Sequence, residues 1–179
     1  MKHLYTLFIL GLVVLPAQAW AVGVPTPAAG DSSFMVSDRS AESLTAVMVN
    51  ANTVFTITGG PIQILELLSV CVTANDITAS TLQWQSNPTV GTATTISGAT
   101  ATLASATAGT TVLLTPTALS TAPTIIAAAA GGVQLGLAAQ NHIIVKEGTL
   151  KIVITIGSTT GTWKHYLRYQ PLSPGAMVN

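Results

Sequence analysis

Alternation of apolar and polar residues with a period of two constrains this chain more than any other feature. It is clearest in "NHIIVKEGTLKIVITIGSTTGTWKHYLRYQP", residues 141–171. The pattern predicts three strands, with one turn at Lys146-Glu147-Gly148 and another across Gly157–Gly161. A four-residue loop, Ser158–Gly161, sets Ile156 opposite Trp163, Ile154 opposite His165, Ile152 opposite Leu167 and Leu150 opposite Tyr169. One face is then aliphatic against aromatic, a combination that cross-strand pairing favours. The other face carries Lys151, Lys164, Tyr166 and Arg168. An odd loop would put isoleucines against lysine and arginine, so the even loop is preferred.

The same period recurs upstream. "VFTIT" alternates Phe55 and Ile57 against threonines and stops at Gly59-Gly60-Pro61. "IQILELLSVCVT" reads as a long, mostly buried strand with Glu66 on the face of Ile62, Ile64 and Leu68. "STLQWQS" puts Leu82 and Trp84 on one face. Residues 92–121 mix Thr, Ala, Ser and Gly around short apolar runs such as "TVLL", and read as short strands and loops with weak register signals. "IIAAAAGG", residues 125–132, fits one helical turn or a loop. Many short strands with turn signals between them predict an all-β fold, a β-sandwich or jelly-roll-like domain over residues 54–179. Its expected core contains Phe55, Ile57, Trp84, Ile152, Ile154, Ile156, Trp163, Leu167 and Tyr169.

Charged residues are 7% of the chain and cancel to a net charge of zero, against about a quarter in an ordinary soluble domain. Such a chain has no field to gather nucleic acid or an anionic membrane, and neutral surfaces of hydroxyls and methyls tend to associate. Self-association is therefore expected, with Lys151, Lys164, Tyr166 and Arg168 as the candidate interface, because Arg and aromatic residues are enriched where protein surfaces dock. Lys164, Tyr166 and Arg168 could also stack on a single strand of nucleic acid. Without basic residues elsewhere the case is weak, and no nucleic-acid partner is expected.

The signatures of chemistry are missing. Gly59-Gly60 leads into Pro61 and not into a phosphate-loop lysine. No serine stands in a nucleophile elbow. The one cysteine, Cys71, lies in an apolar run and reads as a small buried hydrophobe. His3, His142 and His165 have no metal-ligand spacing. Glu66 reads as a structural carboxylate, paired with Lys or Arg across a sheet or subunit interface or left at an exposed edge. His165 reads as a satisfied core histidine ahead of a pH switch or ligand. The expectation is a non-enzymatic protein with no catalytic, metal or cofactor residues.

Residues 1–21 begin with Lys2, continue through an apolar run from Leu4 to Leu15, and end in Pro16 and small residues at Ala17, Ala19 and Ala21. That order is signal-like. The run is too short for a comfortable membrane span of about 20 residues, so no stable membrane association is expected. Cleavage after Ala19 or Ala21, an N-terminal arm, and a start at Met35 are the alternatives. Residues 22–53, opening with "VGVPTPAAGDSS", read as a linker or extended arm.

"FTITGG" at 55–60 and "YQPLSPGA" at 169–176 bracket the Thr-rich middle, and in that order the chain resembles a group of tailed-bacteriophage virion proteins. The likeness spans residues 54–178 in outline, with only its two ends specific. The resemblance implies a β-sandwich component of the particle of the head-decoration or cement type, a homotrimer with the major capsid or other virion proteins as partners. It brings no catalytic residues. The closing "LSPGAMVN" is expected to leave as a tail across a neighbour. The signal-like start supports a different expectation, an exported cell-surface β-sandwich that self-assembles or binds glycan.

Overall fold

The computed structural model describes residues 38–115, 119–126, 142–158 and 160–179, all within the unit Val36–Asn179. Among the described residues all regular structure is strand, in two antiparallel sheets that form a β-sandwich. The larger sheet holds β1 (Arg39–Glu42), β2 (Ala46–Val47), β4 (Ile62–Thr73), β7 (Thr111–Leu113), β8 (Thr124–Ile126), β9 (Ile143–Val145) and β11 (Thr162–Pro171). The smaller holds β3 (Thr53–Thr58), β5 (Leu82–Pro88), β6 (Thr94–Thr95), β10 (Gly148–Ile154) and β12 (Met177–Val178). β4 and β11 pair along nearly their whole lengths and form the spine of the larger sheet. β10, between β3 and β5, is the centre of the smaller one.

The alternation read from the sequence is correct, but the pairing deduced from it is not. β10 and β11 do not form a hairpin, because they belong to different sheets and the chain crosses between them after Ile154. Trp163 pairs with Cys71, His165 with Ser69, Leu167 with Leu67 and Tyr169 with Ile64. The aliphatic face of β10 and the aromatic face of β11 share one core across the sandwich. Either arrangement buries the same alternate residues, so period alone does not separate side-by-side strands from stacked ones. Phe55, Ile57, Trp84, Ile152, Ile154, Trp163, Leu167 and Tyr169 are buried as expected. Ile156 is not: it lies in the crossover and is 53% exposed.

Two further expectations are corrected. β1 and β2 fall inside the segment read as an arm over 22–53, yet both pair with β11. "RSAE" shows no apolar alternation because Arg39 and Ala41 share the side of Tyr169 and Leu167, and of the two only Ala41 is apolar and packs against the core. Glu66 does not share a face with Ile62 and Ile64. The ladder to β11 steps from Ile64↔Tyr169 to Glu66↔Arg168, leaving Leu65 as an extra residue. That bulge reverses the strand's parity, so Leu67, Ser69 and Cys71 continue the buried side while Glu66, Leu68 and Val70 face outward. "IIAAAAGG" contributes strand at its start, in β8, and the rest lies outside the described residues.

The closing segment also stays with its own chain. β11 ends at Pro171, Leu172 N–H donates to the Pro61 carbonyl at 3.0 Å, Ala176 is buried, and β12 pairs with β3. The return is possible because Gly59 and Gly60 have φ of 73° and 130° and Gly175 has 87°. A Cβ on Gly59 would collide with the Gly175 carbonyl, and one on Gly60 with the Ser173 hydroxyl. Ser173 Oγ donates to the Gly59 carbonyl at 3.1 Å, and Tyr169 Oη accepts the Val178 N–H at 3.1 Å. "FTITGG" and "YQPLSPGA", distant in sequence, are thus two halves of one corner.

Gly175 has open space where its Cβ would stand. Gly59→Ala is therefore expected to destabilise the domain by more than about 1 kcal/mol, and by more than Gly175→Ala, which meets only the conformational penalty. Urea denaturation of the two variants checks this, and equal losses would contradict the collision.

Candidate functional site

The described residues offer three features to weigh. The first is the outer face of the larger sheet, where β11 lies between β1 and β4. Register places Arg168 between Ser40 and Glu66, and Tyr166 between Glu42 and Leu68. These six residues form a block of two rows and three columns around a hollow of about 300 Å³. Tyr166 is 36% exposed at its edge. Lys164 Nζ stands 2.7 Å from Glu42 Oε2 and 5.4 Å from the centroid of the Tyr166 ring. The Glu42 carboxylate holds the Lys164 ammonium above its ordinary pKa, chiefly through that hydrogen bond. Arg168 is held more loosely. Its Nε is 3.6 Å from Glu66 Oε2 and its Nη1 3.9 Å from Asp38 Oδ2, charge contacts longer than ordinary hydrogen bonds. Exposed pairs of this kind add little stability.

The four residues expected to form one interface are therefore divided. Lys164, Tyr166 and Arg168 share the outer face of the larger sheet. Lys151 lies on β10 in the smaller sheet, opposite Gln85. The bulge in β4 turns Glu66 outward to meet Arg168. Ser40 and Glu42 were not identified as site residues, because the segment that carries them gives no strand signal.

The second feature is a cavity of about 410 Å³ at the seam between the sheets, lined among others by Glu42, Ser43, Val54, Phe55, His165 and Asn179. His165 is 4% exposed, and its Nδ1 is 2.6 Å from Ser69 Oγ. Ser43 clasps the His165 backbone from the edge: its N–H donates to the His165 carbonyl and its Oγ accepts the His165 N–H, both at 2.9 Å. Burial lowers the His165 pKa to about 4. Glu42 reaches the same cavity, but its carboxylate is engaged by Lys164. Cys71, two residues along β4 from Ser69, is buried, and burial raises its thiol pKa. It therefore has the character of a structural hydrophobe.

The third feature is at one end of the sandwich. Val90 (82% exposed), Leu119 (49%) and Ile144 (64%) surround a hollow of about 280 Å³, with Lys146 at its rim. They come from three separate segments. The only sequence signal is Ile144, an apolar residue on the outward parity of "IIV". Among the described residues no group of three or more His, Cys, Asp or Glu side chains could hold a metal ion. No described helix is long and apolar enough to cross a membrane.

No family model, curated protein or solved structure matches the chain.

The buried histidine gives the domain a pH dependence of definite sign. Its pKa is near 6.5 when unfolded and about 4 when folded, so the unfolded chain binds the extra proton between those values. The full contribution is present above about pH 6.5 and declines toward pH 4, a loss of about 3 kcal/mol in all. His165→Gln cannot titrate and should flatten that slope. Denaturant midpoints measured across this range check it, and an unchanged slope in the variant would contradict the assignment.

Proposed function

We propose that this chain is a non-enzymatic structural subunit of a tailed-bacteriophage particle, a head-decoration or cement protein that stabilises the shell by docking on it and on its own copies. The likeness of "FTITGG" and "YQPLSPGA" to that group supports the reading, as does a chain with few charged residues and no net charge. The single observation that carries it is the apolar end formed by Val90, Leu119 and Ile144. Large apolar side chains gathered in the open around one hollow mark a surface built to be covered. Docking is placed there and not at Lys164 and Arg168, whose charges have partners within the chain. The crossed contacts at the glycine corner, which seat the closing segment in its own sheet, suit a subunit that holds its shape before it docks.

A second reading is an exported β-sandwich at the cell surface. The order of Lys2, the apolar run, Pro16 and Ala19 favours it.

The docking end is tested with Val90→Asp and Ile144→Asp together. Both side chains are exposed, so the variant should keep its melting temperature within a few degrees, as surface substitutions do. Its retention on particles stripped of this protein, measured by co-sedimentation, should fall about tenfold or more. Retention equal to the parent protein would overturn the placement of docking at this end.

A further inference from the structure

The hollow on the outer face of the larger sheet has a chemistry that the docking role does not use. Glu66 supplies a carboxylate, Glu42 one whose Oε2 is already bound by Lys164, Arg168 supplies a planar set of donors, Ser40 supplies a hydroxyl, and Tyr166 and Leu68 supply apolar surface. Arg168 reaches Glu66 and Asp38 only at 3.6 and 3.9 Å, longer than ordinary hydrogen bonds, so its guanidinium fork is not consumed by them. Lys164 lies over the Tyr166 ring but does not line the hollow, whereas Tyr166 and Arg168 do.

The mixture of charges selects the ligand. An anion entering here meets Glu42 and Glu66. A cation meets Arg168, and finds Glu42 already neutralised by Lys164. A neutral molecule rich in hydroxyls meets no like charge, since its O–H groups donate to the carboxylates and its oxygens accept from the guanidinium. Its C–H face lies on the electron-rich face of Tyr166. Few convergent polar groups beside an aromatic wall, in a hollow of about 300 Å³, have the dimensions of a small-ligand site. The geometry points to a binding site for a neutral saccharide, one or two pyranose rings long, on the outer face of β1, β11 and β4. This site stands independently of the particle reading: a sugar-binding face is compatible with attachment through the Val90–Ile144 end and with a place at a cell surface.

The test uses the full chain, isotope-labelled, with amide resonances followed by NMR. The probes are trisaccharides of glucose, galactose and N-acetylglucosamine, with a fully deacetylated glucosamine trimer and an oligogalacturonate as cationic and anionic comparisons. At least one neutral probe should shift the amides of Ser40, Glu66, Tyr166 and Arg168 with a dissociation constant of about 1 mM or tighter. Tyr166→Ala and Arg168→Gln should each weaken that binding about tenfold, while Val90→Asp leaves it unchanged. Both substituted side chains are exposed, and the unshifted amides of the core report that each variant remains folded. Absence of shifts with every neutral probe at about 10 mM would overturn the proposal. So would tighter binding of either charged probe, or shifts that persist in both variants. If stripped particles perturb these four amides and the saccharides do not, the face belongs to a protein partner and the saccharide assignment fails.

Discussion

Two crossovers between the sheets meet at one corner, and the sandwich depends on their fit. The turn at Gly59–Pro61 carries the chain from β3 to β4, and residues 172–176 carry it from β11 to β12. β4 pairs with β11 in one sheet, and β3 pairs with β12 in the other. Locking the two turns together therefore fixes both sheets at once. The Gly175 backbone approaches so closely that no side chain fits at Gly59, and the left-handed φ values at both positions favour glycine. The motif pair that brackets the chain is accounted for by packing, without any appeal to chemistry.

Much of the architecture was legible in the sequence, and the errors have a common physical origin. The bounds of β4 followed from its long apolar run, and the buried residues of β10 and β11 from alternation, because a strand with one dry face must repeat every second residue. Pairing did not follow, since stacked and adjacent strands bury the same residues. Glu66 was assigned to the wrong face because a single bulge reverses parity without leaving a mark in composition. β1 was missed because its ladder is supplied by β11 and only Ala41 packs against the core. The outer-face hollow could not be assembled beforehand, since it draws on an unrecognised strand, a bulged strand and the closing strand together. His165, read as a core histidine, is one, and Ser69 is the partner that satisfies it.

These elements divide the work of the molecule in a consistent way. The corner and the core hold the shape. The apolar end gathers Val90, Leu119 and Ile144 in the open around one hollow, with Lys146 beside them. On the larger sheet's outer face Lys164 is paired with Glu42, while Arg168 is held loosely beside a hollow. Burial of His165 against Ser69 adds a cost to acid exposure, concentrated at the seam that Ser43 fastens.

The central claim, that this chain is a component of a virus particle, is tested most directly by where the protein is found. Particles and cell envelope from the producing culture are purified separately, and both are subjected to peptide mapping with intact mass. The account predicts the protein in the particle fraction in a fixed ratio to the major shell protein. Protein confined to the envelope or medium, with a chain beginning at Trp20 or Val22 and none in particles, would contradict it.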